Sequence, residues 1–285
     1  MGNYLRTSES IIMKTMHYLA VCIIIFLSSC ATSTVQQTDP VPVHESFTLD
    51  SKLLGEKRII NVWKPSEYSS FTSSFPVLYM ADGGIKEDFP HLANTVAKLI
   101  REKRIPAVIL VGIENTQRRR DLTGFTNVEE DKKIAAVVGG SEPFRNFIKD
   151  ELFPEINAKY RTTSEKSIIG ESLAGLFIME TFLTTPEMFD NYIAIDPSLW
   201  WNNHYLTSAA KDYLAKFPAG TKKTLWFASS KEPSTCEFTQ QISQTLKSAN
   251  IFNLKWNYNP APQEEHSTIF RAVKEKALIW SLNRN

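Results

Sequence analysis

The sequence predicts an α/β protein with a mainly parallel central sheet of about eight strands and helices on both faces. Two observations carry that expectation. From residue 46 to the end, short apolar runs of strand length alternate with amphipathic stretches of ten or more residues, and parallel neighbours need crossovers of that size. Residues 107–111, Ala-Val-Ile-Leu-Val, are a continuous apolar run, as in a strand covered on both faces.

In chain order the pattern reads as strands at 46–49, 58–63 and 76–80, a helix at 88–103 and the strand at 107–111. An arginine-rich connection follows. A helix at 141–160 then has Ser141 as its cap, Pro143 in its first turn, and Phe144, Phe147, Ile148 and Leu152 on one face. Beyond it the pattern gives strand 166–169, helix 173–184, strand 192–195, helix 206–217, strand 224–229, helix 238–249, strand 254–258 and helix 268–282. No internal repeat or low-complexity block interrupts the series.

With 285 residues, 42% hydrophobic and 22% charged, the chain has the composition of a globular protein, which excludes disordered, fibrous and polytopic classes. Its formal net charge is +1, so nucleic acid is not an expected partner. At the N-terminus, Lys14 precedes the apolar run 19–27, which has the length of a signal-peptide core and is too short for a bilayer span. Met13 and Met16 would serve equally well as its start. The run ends in Leu27-Ser28-Ser29-Cys30, which resembles the bacterial lipobox. The expectation is therefore a lipoprotein signal peptide at 1–29, lipid on Cys30, a polar Pro-containing tether at 30–43 and a folded domain at 44–285. That places the protein in the bacterial cell envelope, anchored to a membrane through its lipid. Cys236 is left without an intramolecular partner, so no structural disulfide is expected. The five histidines are scattered, without the paired spacing of a zinc site.

The sharpest chemical signal is Ser167-Ile168-Ile169-Gly170-Glu171-Ser172-Leu173-Ala174-Gly175-Leu176. It reads as strand, tight turn and helix with a serine at the turn, the nucleophile elbow of α/β-hydrolases. Small residues are needed two positions either side of the serine. Gly170 supplies one and Ala174 the other, with Gly175 next, a departure from the strict Gly-x-Ser-x-Gly form. That fold orders its triad serine, acid, histidine, the acid following the seventh strand. His266, between the last strand and the last helix, is the candidate base; His44, His91 and His204 are poorly placed. For the acid, Glu232 follows the strand at 224–229 and is the first choice, with Glu237 and Asp196 as the alternatives. The oxyanion would be met by the Leu173 amide after the nucleophile and by the Gly84 amide, in Tyr79-Met80-Ala81-Asp82-Gly83-Gly84.

These strings, with Arg120-Asp121-Leu122-Thr123, Asp196-Pro197-Ser198-Leu199-Trp200-Trp201 and Glu265-His266-Ser267, resemble the putative-esterase family of α/β-hydrolases. That family includes esterase D-like enzymes, feruloyl and acetyl-xylan esterases, siderophore esterases of the Fes and IroE type, and mycolyltransferases. The resemblance covers nearly all of residues 45–285 and implies a serine triad on Ser172, His266 and a carboxylate, without cofactor or metal. In some siderophore esterases a serine-histidine dyad suffices. Expected substrates are small-molecule or glycan-linked esters: siderophore lactones, feruloyl esters or acetyl esters. Arg120, within the run Arg118-Arg119-Arg120, would meet an anionic substrate, and Trp200 and Trp201, at the C-terminal edge of the sheet, would wall its pocket. The alternatives are an acyltransferase with the same triad and a catalytically silent binding lipoprotein on the same fold.

Overall fold

The computed structural model describes residues 39–220 and 222–283. The expected signal peptide, Cys30 and most of the expected tether lie outside the described residues. Of the tether, Pro40 is tied to the domain, its carbonyl accepting a 2.8 Å hydrogen bond from Asn94 Nδ2.

Strands β1 (Glu45–Ser51), β2 (Glu56–Trp63), β3 (Phe75–Met80), β4 (Ile109–Ile113), β5 (Thr162–Glu171), β6 (Asn191–Ile195), β7 (Lys223–Ser229) and β8 (Leu254–Pro260) form one sheet. Its order is β1-β2-β4-β3-β5-β6-β7-β8. β2 runs antiparallel to both β1 and β4, and every pairing from β4 to β8 is parallel. The longer helices are α1 (Phe89–Arg101), α2 (Ser141–Phe147), α3 (Phe153–Lys159), α4 (Leu173–Thr184), α5 (Trp201–Ala215), α6 (Pro233–Ala249) and α7 (Ile269–Leu282).

Alternation along the strands divides the core in two, because successive side chains point to opposite faces. Val77, Tyr79, Tyr192, Ala194, Leu225 and Phe227 pack with the layer of α2 to α6. Their sequence neighbours Leu78, Met80, Ile193, Ile195, Trp226 and Ala228 pack with α1 and α7. Helix α4 is apolar all round, buried at every residue from Leu173 to Met179, because it lies between the sheet and the outer helices. The predicted α/β class and its mainly parallel sheet are what the chain forms.

Local differences have local causes. The helix expected over 141–160 is divided by a π turn, Ile148–Leu152, between α2 and α3. Pro154 has no N–H for the carbonyl four residues back, which interrupts the ladder there. Helix α6 starts at Pro233, earlier than the apolar pattern suggests, since proline suits a first helical position. In α5, Asn202, Asn203 and His204 hold φ of 50° before the regular helix resumes.

The arginine-rich connection includes a one-turn helix, Arg118–Asp121, pinned to the sheet by buried charge. Arg58 of β2 is fully buried. It donates through Nη2 to Asp121 Oδ2 at 2.6 Å and lies 2.8 Å from Glu56 Oε1. Removing one member leaves an uncompensated buried charge, which costs more than the pair contributes. Asp121→Asn is expected to destabilise the fold by about 3–5 kcal/mol, measured by urea unfolding. A loss under about 1 kcal/mol, the scale of a surface ion pair, would show that the network does not anchor the connection.

Candidate active site

Ser172 stands between β5 and α4 with φ 60° and ψ −120°, a conformation an L residue keeps only under constraint. Its N–H donates to the Ile195 carbonyl at 3.0 Å, and its carbonyl accepts from the N–H groups of Ser198 at 3.1 Å and Leu176 at 2.9 Å. A Cβ on Gly170 would lie 2.6 Å from the Ala174 Cβ, and one on Gly175 would lie 2.9 Å from the Ile195 carbonyl oxygen. Glycine is therefore required at 170, where the Ala174 methyl fills the space. It is also required at 175, where α4 crosses the end of β6. The departure at Ala174 leaves the elbow intact.

His266 bridges two side chains. Its Nδ1 lies 2.6 Å from Asp196 Oδ2 and its Nε2 lies 3.1 Å from Ser172 Oγ. A carboxylate only accepts, so Nδ1 carries the proton and Nε2 is free to accept from the serine hydroxyl. Asp196 is the first residue beyond β6 and is fully buried, with φ 45°. Its Oδ1 accepts the Ser230 N–H at 2.7 Å, and its own N–H donates to the Ala228 carbonyl at 2.9 Å. The His266 imidazole titrates above its usual range, first because of the hydrogen bond to Asp196. Burial opposes that rise, and the charges of Asp196, Glu171 and Glu232 add to it.

The acid is the main correction to the sequence reading. Glu232 sits at the N-cap of α6, its N–H donating to Ser230 Oγ at 3.2 Å and its carbonyl accepting the Cys236 N–H at 2.8 Å. It reaches His266 only through its charge. At the turn after β7, where the acid was expected, the Ser230 N–H instead supports the carboxylate that projects from β6. Glu237 lies further along α6, where its Oε1 accepts from Gln241 Nε2 at 3.2 Å.

Three further assignments change. The Gly84 N–H donates to Glu87 Oε2 at 2.7 Å, so it is not a free oxyanion donor. Arg120 is committed to two carboxylates, its Nη2 2.6 Å from Glu56 Oε1 and its Nε 2.7 Å from Asp121 Oδ1. Trp201 is buried, with its indole N–H donating to the Gly124 carbonyl at 2.9 Å. Leu173 opens α4, so its N–H has no intrahelical acceptor. Trp200 remains 37% exposed. His91 packs edge-on against Phe270 and His204 stacks on Phe238.

Two groups at the site, Asn115 and Glu171, escaped the sequence reading, and the arginine run reaches it through a different member. Arg118, and not Arg120, reaches the loop after β3, donating through Nε to Asp82 Oδ1 at 2.5 Å and through Nη2 to Asp82 Oδ2 at 2.8 Å. Asn115 Nδ2 joins Asp82 Oδ1 at 2.6 Å to Glu87 Oε1 at 2.8 Å. Glu171, immediately before the nucleophile, has a buried Oε1 without a hydrogen-bond partner. Burial pushes its carboxyl up to about 8. No pattern of spacing marks Glu171 out.

The α/β fold agrees with comparisons to known proteins. Residues 51–268 match the family described as "Putative esterase". The ferri-bacillibactin esterase BesA of Bacillus subtilis is 31% identical over 163 residues, covering 50% of this chain and 54% of that protein. The match thus spans about half the length of that relative. The siderophore triacetylfusarinine C esterase of Aspergillus fumigatus is 33% identical over 78 residues, 27% of either chain. Among solved structures, an IroE-like serine hydrolase from Shewanella oneidensis superposes with a TM-score of 0.75 at 26% identity, covering 84% of this chain and 79% of that one. The match over most of its length, on this fold and around this site, means that the chain belongs to the Putative esterase family.

Proposed function

We propose that the protein is a serine hydrolase that cleaves carboxylic esters through an acyl-enzyme on Ser172, with siderophore lactones as its substrate class. The observation that carries the reading is the chain of hydrogen bonds from Ser172 Oγ through His266 to Asp196, set at a strained turn. In the proposed reaction His266 Nε2 takes the hydroxyl proton as Ser172 Oγ attacks the ester carbonyl. The imidazolium is held by the buried Asp196 carboxylate. The oxyanion forms at the N-terminus of α4, against the Leu173 N–H. Collapse expels the alcohol, to which His266 returns the proton; the same imidazole then activates water to hydrolyse the acyl-enzyme.

The Gly84 N–H can serve as a second oxyanion donor if it exchanges Glu87 for the substrate. Burial, the leading influence on Glu87, raises its carboxyl above the usual range.

Support for the substrate class comes from the relatives named for siderophore esters and from the surface beside α4. There Phe125, Asn202, Asn203, His204, Tyr205 and Glu180 line a groove of about 750 Å³. Phe125 and Tyr205 are exposed within it. Exposed rings of this kind suit the flat aryl groups of catecholate siderophores. We further propose that the chain is exported and anchored by lipid on Cys30, on the strength of the lipobox-like Leu27-Ser28-Ser29-Cys30.

An organophosphonate should label Ser172, and Ser172→Ala should abolish hydrolysis of p-nitrophenyl esters and of a triscatecholate lactone. An adduct mapped by peptide mass to another residue, or activity retained in the variant, refutes the mechanism. Asp196→Asn is expected to lower kcat by about 10⁴, the cost of losing the orienting carboxylate in serine proteases. Glu232→Gln should leave kcat near that of the wild type; the opposite ranking returns the acid to the end of β7. For the anchor, mass spectrometry of the mature N-terminal peptide should find a diacylated Cys30. An unmodified cysteine there rejects the lipoprotein reading.

A further inference from the structure

We propose that Ser198 is a further catalytic residue: its hydroxyl donates a hydrogen bond to Ser172 Oγ and stabilises the charge on that oxygen as it attacks the ester and as it later leaves the acyl group. The inference rests on Ser172 acting as the nucleophile in the function proposed above.

Ser198 lies two residues beyond Asp196, in the turn after β6, and is 4% exposed. Neighbours hold this turn on several sides. The Ser198 N–H donates to the Ser172 carbonyl at 3.1 Å, and the Ser198 carbonyl accepts the Trp201 N–H at 3.2 Å. Just before it, Pro197 has a fixed φ, and its carbonyl accepts the Leu199 N–H at 2.7 Å. Leu199 and Trp201 are buried. Helix α4 presses on the same turn, since a Cβ on Gly175 would lie 3.0 Å from the Pro197 Cα. Ser198 is therefore kept beside the nucleophile. Its Oγ lies 3.4 Å from Ser172 Oγ, and among the described residues that oxygen is the hydroxyl's one hydrogen-bond partner.

The hydrogen bonds around Ser172 set the direction of this contact. Asp196 accepts from Nδ1–H, so in the neutral imidazole that acts as base Nε2 has a free lone pair. Nε2 takes the single proton of the Ser172 hydroxyl, 3.1 Å away. Ser172 Oγ then has only lone pairs to offer Ser198, which must be the donor. Ser198, Ser172, His266 and Asp196 are thus aligned in one sense, every donor pointing toward the buried carboxylate.

A neutral hydroxyl is a modest acceptor, and catalytic hydrogen bonds are often long before charge develops. As His266 removes the Ser172 proton and the Oγ–carbon bond forms, negative charge passes through Oγ on its way to the carbonyl oxygen. A hydrogen bond to an ionised acceptor is about twice as strong as a neutral one. Ser198 therefore contributes more in the transition state than in the resting enzyme, which is the condition for acceleration. Deacylation runs the same step backwards. Once water has added, the carbon–Oγ bond breaks, its electron pair returns to Oγ, and His266 gives that oxygen the proton. Ser198 keeps its own proton throughout. Its target also differs from that of the Leu173 N–H, which meets the former carbonyl oxygen.

Ser198→Ala removes the hydroxyl and keeps the backbone N–H that holds the turn. In pre-steady-state kinetics with a p-nitrophenyl ester, both the acylation burst and the hydrolysis of the acyl-enzyme should slow about tenfold, with the substrate dissociation constant unchanged. Organophosphonate labelling of Ser172 should slow by a similar factor. Unchanged rates overturn the inference. Faster rates also overturn it, because they would mean that Ser198 accepts the Ser172 proton and withholds it from His266. A loss confined to substrate binding makes Ser198 a structural residue and rejects the catalytic role. Should the variant not fold, the wild type decides: in crystals of a boronic acid adduct, a tetrahedral anion on Ser172, the two Oγ atoms should approach to under about 3.0 Å. A Ser198 hydroxyl turned to another partner there refutes the proposal. Wild-type protein whose Ser172 takes no label refutes the hydrolase reading and this inference with it; normal wild-type labelling with an unaffected Ser198→Ala refutes this inference alone.

Discussion

At φ 60° and ψ −120° Ser172 occupies a region that costs an L residue on the order of 1–3 kcal/mol, and the geometry of the whole site depends on its staying there. The cost is met by the neighbours on either side. The Ile195 carbonyl takes the serine N–H and the Ser198 N–H holds the serine carbonyl, so β6 and the turn after it grip the serine from both directions. Gly170 and Gly175 allow α4 to come close enough for that grip. The same helix presents its N-terminus, with the Leu173 N–H unpaired within the helix, to whatever charge develops at the serine. Packing, backbone strain and electrostatics thus converge on one residue.

The grip by β6 also accounts for the position of the acid. The strand that holds Ser172 through Ile195 ends there, and the next residue is Asp196, itself at φ 45°. Asp196 is tied to β7 by its N–H to the Ala228 carbonyl and by the Ser230 N–H to its carboxylate. A buried carboxylate persists as an anion only with such partners. Two well-aligned ones, a backbone N–H and the imidazole Nδ1–H, are present. β7 therefore supplies a donor where the more usual arrangement has it supply the acid, and the order serine, acid, histidine along the chain is unchanged.

This explains how far the molecule was legible in its sequence. Periodicity located the strands and longer helices because burial on two faces leaves a continuous apolar record, as at Ile109 to Ile113. The elbow was legible because its sequence signature is local, contained in residues 170 to 175. The acid was not, since Asp196 and Glu232 both follow strand ends. The choice between them depends on where the Ser230 N–H turns, a fact of register between neighbouring strands. Arg120 and Trp201 were misplaced for a related reason: their partners, Glu56 and the Gly124 carbonyl, lie 64 and 77 residues away. Gly84 was misread through a shorter reach, the Glu87 side chain closing onto an amide that the glycines seemed to leave open.

The charge around the site makes one further demand. Asp82, Glu87, Asp88, Glu171 and Asp196 gather at the C-terminal end of the sheet, and Arg118 is already committed to Asp82. Fully ionised, so many carboxylates in a partly desolvated space would repel one another and would hold His266 as the imidazolium. The site relieves this by burial, which raises Glu87 and Glu171 toward their neutral forms. Asp196 keeps its donors.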